Sequence, residues 1–205
     1  MSPRLALLAL SLLLLGTAGK ASDVPAVRQG LVGHPRSRFP LAVHVGPAPD
    51  AALDAAVRAA VADWNRGFTE SLGVAAFGWA EGPEGAQVLV RFANELPDRV
   101  MGQAGMEADA QGVLRLPVRV DLGPAVARGE SSAARVAYQV ALHELGHALG
   151  LPHANDAASI MCCDPGRLDF DDPAVRATYL RTRRQPDLHA VLPQLSEHYR
   201  RFWDR

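Results

Sequence analysis

An α+β fold is predicted by three features of this 205-residue sequence. Five short segments between residues 39 and 122 carry strand patterns. Two longer segments carry helical periodicity, one after the first strand candidate and one after the fifth. The chain then turns mostly irregular, with one or two further helical stretches. The expected architecture is a sheet of about five strands with a packing helix, a second helix bearing the chemistry, and a small C-terminal subdomain.

The elements follow in order. "MSPRLALLALSLLLLGTAGKAS" sets Arg4 before a leucine-rich run and then small residues, the anatomy of a secretory signal peptide over residues 1–21. The apolar run spans about half of the roughly 20 residues needed to cross a bilayer, so no stable membrane span is expected in the mature chain. Small residues precede Ala18 and Ala21 by two positions, making either a cleavage point. Export, to a periplasm or outside the cell, is the expected localisation. Removing residues 1–21 leaves 184, enough for one domain with its own core. Net charge drops from −1 to −3 once Arg4 and Lys20 leave, which gives no basic excess for nucleic acid.

Residues 22–37 are rich in Pro, Gly and Arg and read as an extended lead-in. "FPLAVHV" (39–45) alternates as a strand. Asp50 is a plausible N-cap for a helix with Leu53, Val57, Val61 and Trp64 on one face, ending near Gly67. "VAAFGWA" (74–80) and "AQVLVRFA" (86–93) are strands separated by turn residues. "VMGQAGMEA" (100–108) is weaker, more like an edge strand. "GVLRLPVRVDL" (112–122) contains Pro117, which suggests a bulge or an exposed edge. Ser131 or Ser132 can cap the second helix, and Gly150 can stop it. Asp172 ahead of Pro173 starts another helix with arginines in its last turn, favourable to its dipole. Residues 185–205 place Leu188, Val191, Leu192, Leu195, Tyr199 and Phe202 on one stripe, an amphipathic extension expected to pack on the body.

The second helix ends in "HELGHALGLPH" (143–153). A four-residue step rotates about 400° on an α-helix, so His143 and His147 project from one face a turn apart. Glu144 lies about 100° further round, beside an ion rather than on it. A left-handed Gly150 swings the chain back so that His153 can offer a third imidazole. Three neutral imidazoles around Zn²⁺ leave a fourth position open, the arrangement of a catalytic site. Five fixed residues coincide by accident in about one sequence in 10⁴. His34, His44, His189 and His198 lack ligand spacing and read as surface or packing residues.

The string His143-Glu144-x-x-His147-x-x-Gly150-x-x-His153 resembles the extended zinc signature of the metzincin metallopeptidases. Met161, eight residues beyond His153, stands where a matrixin-like Met-turn would put it. "AVADWNRGF", "AQVLVRF" and "RLDFDDPAVRATYL" resemble the matrixins' first helix, one of their strands and their C-terminal helix. The resemblance implies a metzincin-like zincin: a twisted mixed β-sheet and an active-site helix in a matrixin-like catalytic domain over residues 38–184. It implies His143, His147 and His153 as ligands of one Zn²⁺, Glu144 as general base, and Met161 as an apolar floor beneath the metal. The strand around residues 101–106 would be the edge on which an extended polypeptide substrate is laid. The expected function is thus an exported zinc endopeptidase acting through a water activated by the zinc, and a monomer is expected.

Several departures matter. No cysteine lies in residues 22–37, so the cysteine-plugged latency of animal matrix metalloproteinases is not expected. "ANELPDRVMGQAG" (93–105) lacks the histidines of their second zinc, which leaves one zinc per chain; calcium stays open. Matrixin Met-turns usually continue with tyrosine and proline shaping the specificity pocket, whereas here Cys162 and Cys163 follow and form a possible pocket wall. They could be free buried thiols, a vicinal disulfide, or a source of a thiolate for the open zinc position. Two other functions remain: a secreted zinc-containing binding protein with little or no proteolysis, and a zinc amidase acting on cell-wall peptides.

Overall fold

The structure is a computed structural model that describes residues 31–98, 100–164 and 166–205. The expected signal peptide and most of the lead-in lie outside the described residues.

Five strands form one sheet: β1 (Leu41–Val45), β2 (Phe77–Trp79), β3 (Val88–Phe92), β4 (Gly102–Gly105) and β5 (Val118–Leu122), in the order β2-β1-β3-β5-β4. All neighbours pair in parallel except β4, which runs antiparallel to β5. The sheet is therefore mixed, with β4 at one edge, as its weak apolar pattern suggests. Val43 pairs with Val88 and Val90 with Val120, all buried, so alternate residues of three adjacent strands build the core face. On the opposite side Asp121 accepts hydrogen bonds from Arg91 and Gln103, which ties β3, β5 and β4 together. The Arg91 guanidinium holds the Asp121 carboxyl below its usual range.

Two expectations need correction. Helix α1 (Ala51–Leu72), capped by Asp50 through Leu53 N at 2.8 Å, runs straight through Gly67 and ends at Gly73, whose φ of 72° is the left-handed stop. Gly67 marks a close approach rather than an end: a Cβ there would lie 2.8 Å from Leu192 of the C-terminal helix. The second concerns Pro117, which lies outside β5. The strand starts one residue later and is interior, between β3 and β4, so the proline marks neither a bulge nor an edge. Residues before it instead make isolated bridges from Val113 to Gly33 and from Leu114 to Ala108.

Helix α2 (Ala133–Ala148) starts at Ser132, whose side chain accepts from Arg135 N at 3.3 Å. Trp64 of α1, fully buried, donates its indole N–H to Leu142 O at 2.9 Å and locks the two helices together. Helix α3 (Pro173–Arg184) is capped by Asp172, and α4 (Leu192–Trp203) buries Leu195, His198, Tyr199 and Phe202 against the body. The carbonyls at the end of α2 have no partners within the helix. Tyr199 OH donates to Leu149 O at 2.6 Å, and His34 Nε2 donates to Ala148 O at 2.9 Å. The lead-in and α4 thus cap the helix that carries the motif.

Candidate metal centre and active site

Gly150, at φ 87°, ends α2 as its position in the motif suggests. A Cβ at this glycine would fall 2.5 Å from Val32 O, so the turn also needs the smallest side chain for its contact with the lead-in. The chain reverses here, and His153 returns beside the helix face bearing His143 and His147.

The three Nε2 atoms face one another at 3.1, 3.1 and 3.2 Å. Each ring is fixed from behind by an oxygen at 2.8 Å: Ile160 O for His143, Leu151 O for His147, and Asp164 Oδ1 for His153. A carbonyl or carboxylate oxygen only accepts, so Nδ1 carries the proton in each ring and Nε2 presents a lone pair. Three lone pairs converging at this distance repel one another and cannot hydrogen bond among themselves. A cation reconciles them: nitrogens 2.0–2.1 Å from a tetrahedral Zn²⁺ stand about 3.3 Å apart. Burial drives His143 down to about 3 and His147 down to about 4, which keeps both imidazoles in the neutral form a metal requires. The donor set fits zinc, and these three residues form the one cluster of possible ligands among the described residues.

Glu144 is buried next to this centre, and burial pushes its carboxyl up to about 8. A divalent cation nearby acts the other way and favours the carboxylate. Gly102 of β4 packs directly against Glu144. A Cβ there would stand 2.5 Å from Val140 Cγ1 and 2.7 Å from Glu144 Cγ, so the glycine lets the edge strand close onto the helix. Met161 is fully buried with its thioether against Gly146 of the motif, and its carbonyl accepts from Ala154 N at 2.9 Å. The Cys162 and Cys163 sulfurs are set against each other, with Cys162 buried and Cys163 half-buried.

A cavity of about 380 Å³ lies against the N-terminal half of α2, lined among others by Met101, Val136, Gln139, Tyr179, Leu180 and Arg183, and neither the three histidines nor Glu144 line it. Gln139 stands one turn before His143 on the same helix face. The two cysteines are not among the lining residues. Arg183 is, and it donates to Cys162 O at 2.7 Å and to Ile160 O at 3.4 Å. The structure therefore brings His143, Glu144, His147, His153, Gly150 and Met161 together. It adds Asp164, Gly102 and Arg183, which no motif spacing marks.

Residues 48–165, containing α1, strands β2 to β5, the histidine motif and Met161, match the family model described as Peptidase_M10, matrixin. Among solved structures, the crystal structure of an archaemetzincin from Methanopyrus kandleri is similar at 16% identity and a TM-score of 0.44. That similarity covers 87% of this chain and 99% of the other. No curated protein matches.

Proposed function

The chain belongs to the matrixin family of zinc metallopeptidases, and on that premise we propose that it is an exported endopeptidase cleaving extended polypeptides, with Glu144 as general base. His143, His147 and His153 would hold the metal. The observation that carries this reading is the convergence of three imidazole lone pairs beside one buried carboxyl.

When bound, Zn²⁺ supplies a Lewis acid that polarises a peptide carbonyl and makes water a better nucleophile near neutral pH. The chain's own groups do the rest. Glu144 accepts the proton of the attacking water and returns it to the leaving amine, a role that needs the carboxylate within one hydrogen bond of both. The backbone of β4, at the sheet edge, offers free N–H and C=O groups to an extended segment. Gly102 brings that edge against Glu144, so a segment paired there would pass the base. The cavity that reaches Gln139, one turn before His143 on α2, can take a side chain of such a segment, with Tyr179 and Leu180 of α3 among its lining residues.

Among the described residues no helix is long and apolar enough to cross a membrane. Export rests on residues 1–21, and the N-terminal sequence of protein recovered after secretion should begin just after Ala18 or Ala21. The catalytic role is tested with Glu144→Ala. This variant should bind zinc as the parent does while peptide hydrolysis falls about 10²- to 10⁴-fold. Undiminished cleavage would remove Glu144 from its role, and a wild-type chain that binds zinc but cleaves no peptide would leave a binding protein.

A further inference from the structure

We propose that Asp164 is a positioning residue for the metal centre, acting through His153 to set both the orientation and the donor strength of the third imidazole. This rests on the reading of the three histidines as zinc ligands.

The rings are supported in two different ways. His143 and His147 donate Nδ1–H to peptide carbonyls, those of Ile160 and Leu151. His153 donates to a carboxylate oxygen, Asp164 Oδ1, at 2.8 Å. It lies beyond the end of α2 and is the most solvent-exposed of the three, with its side chain 32% exposed. The helix fixes the direction of His143 and His147 by its periodicity. No such periodicity acts on His153, so its direction depends on what lies behind the ring.

A carboxylate does two things there that a carbonyl does not. It places a full negative charge one imidazole away from a dication, and its stronger hydrogen bond polarises the ring so that Nε2 becomes a better donor. The chain leading to the carboxylate is held in place, while the Asp164 side chain itself is 51% exposed and has His153 as its partner. Ala154 N donates to Met161 O at 2.9 Å and closes the loop between His153 and the buried methionine. From α3, the Arg183 guanidinium donates to Cys162 O and to Ile160 O. Ile160 O is also the carbonyl behind His143. One arginine therefore ties down residues 160–162, which include the carbonyl that supports His143 and lead to Asp164, the support of His153.

The test measures zinc dissociation constants by chelator competition on the metal-free protein, for wild type, Asp164→Ala, Asp164→Asn and His153→Ala. Asp164→Ala should bind zinc about 10- to 100-fold more weakly. Asp164→Asn, which keeps an acceptor without the charge, should fall between it and wild type. The metal-free forms should melt together, which separates metal affinity from folding, and the visible spectrum of the Co²⁺-substituted Asp164→Ala protein should differ from the parent's. If Asp164→Ala does not fold, the same comparison runs on Asp164→Asn. Wild-type affinity in both Asp164 variants, with His153→Ala weakened, would overturn the role of Asp164 and leave the metal site standing. Unchanged affinity in His153→Ala as well would overturn the ligand set itself.

Discussion

Gly146 stands in the middle of the histidine motif and donates nothing to a metal, yet its surroundings leave little freedom. A Cβ at this position would run into Met161 Sδ and lie 3.0 Å from the Trp64 ring. Alanine in a helix interior is ordinarily better than glycine by roughly 0.5–1 kcal/mol. Here the collision with two fully buried side chains outweighs that gain. Gly146→Ala should destabilise the fold by about 1–3 kcal/mol, read as a lower urea midpoint at unchanged slope, because the added methyl has no space to occupy. A midpoint equal to or above wild type would show that Met161 and Trp64 can give way. The motif residues are legible in the sequence because their relation is local: helical period sets His143, Glu144 and His147, and one left-handed glycine sets His153. Asp164 and Gly102 are not legible in this way. Their contacts depend on how the loop after Met161 returns to His153 and how the edge strand packs on α2.

At the scale of elements, the strand candidates are all present but shorter than their apolar patterns. The errors fall where tertiary contacts override local signals. Gly67 looks like a helix stop and is a contact with α4; Pro117 looks like an edge marker and precedes an interior strand. The histidines without ligand spacing also divide. His34 and His198 are buried and bonded to Ala148 O and Val32 O, so they join the lead-in to α2 and to α4, whereas His189 is exposed. Burial lowers both buried rings to about 4, against an ordinary value of 6.5, with Arg38 adding to the effect at His34 and Arg205 and Arg201 at His198. The unfolded chain therefore binds more protons than the folded one between those values. This contribution to stability is whole above pH 6.5 and is lost as pH falls towards 4, to a limit of about 3 kcal/mol for each ring. Urea midpoints of the metal-free protein should drop from pH 7.5 to pH 5. The drop should be smaller in the His34→Gln, His198→Gln double variant, and equal slopes in the two proteins would refute the assignment.

For the whole molecule, α2 is the axis on which the parts meet. It packs on α1 through Trp64, meets β4 at Gly102, and has its last carbonyls satisfied by His34 from the lead-in and Tyr199 from α4. The fold thereby holds a helix end rigid while the chain beyond it loops back, and a metal at the three nitrogens would tie that loop to the helix. Such an ion binds the folded state alone, so it also adds stability: about 4 kcal/mol when free zinc stands at 1,000 times the dissociation constant. The central claim is that one zinc ion sits among His143, His147 and His153. Elemental analysis of the purified protein, equilibrated with excess Zn²⁺ and then desalted, tests it most directly. One zinc per chain is expected, lost in His147→Ala. A metal-free wild type, or a variant that keeps the same content, would contradict it.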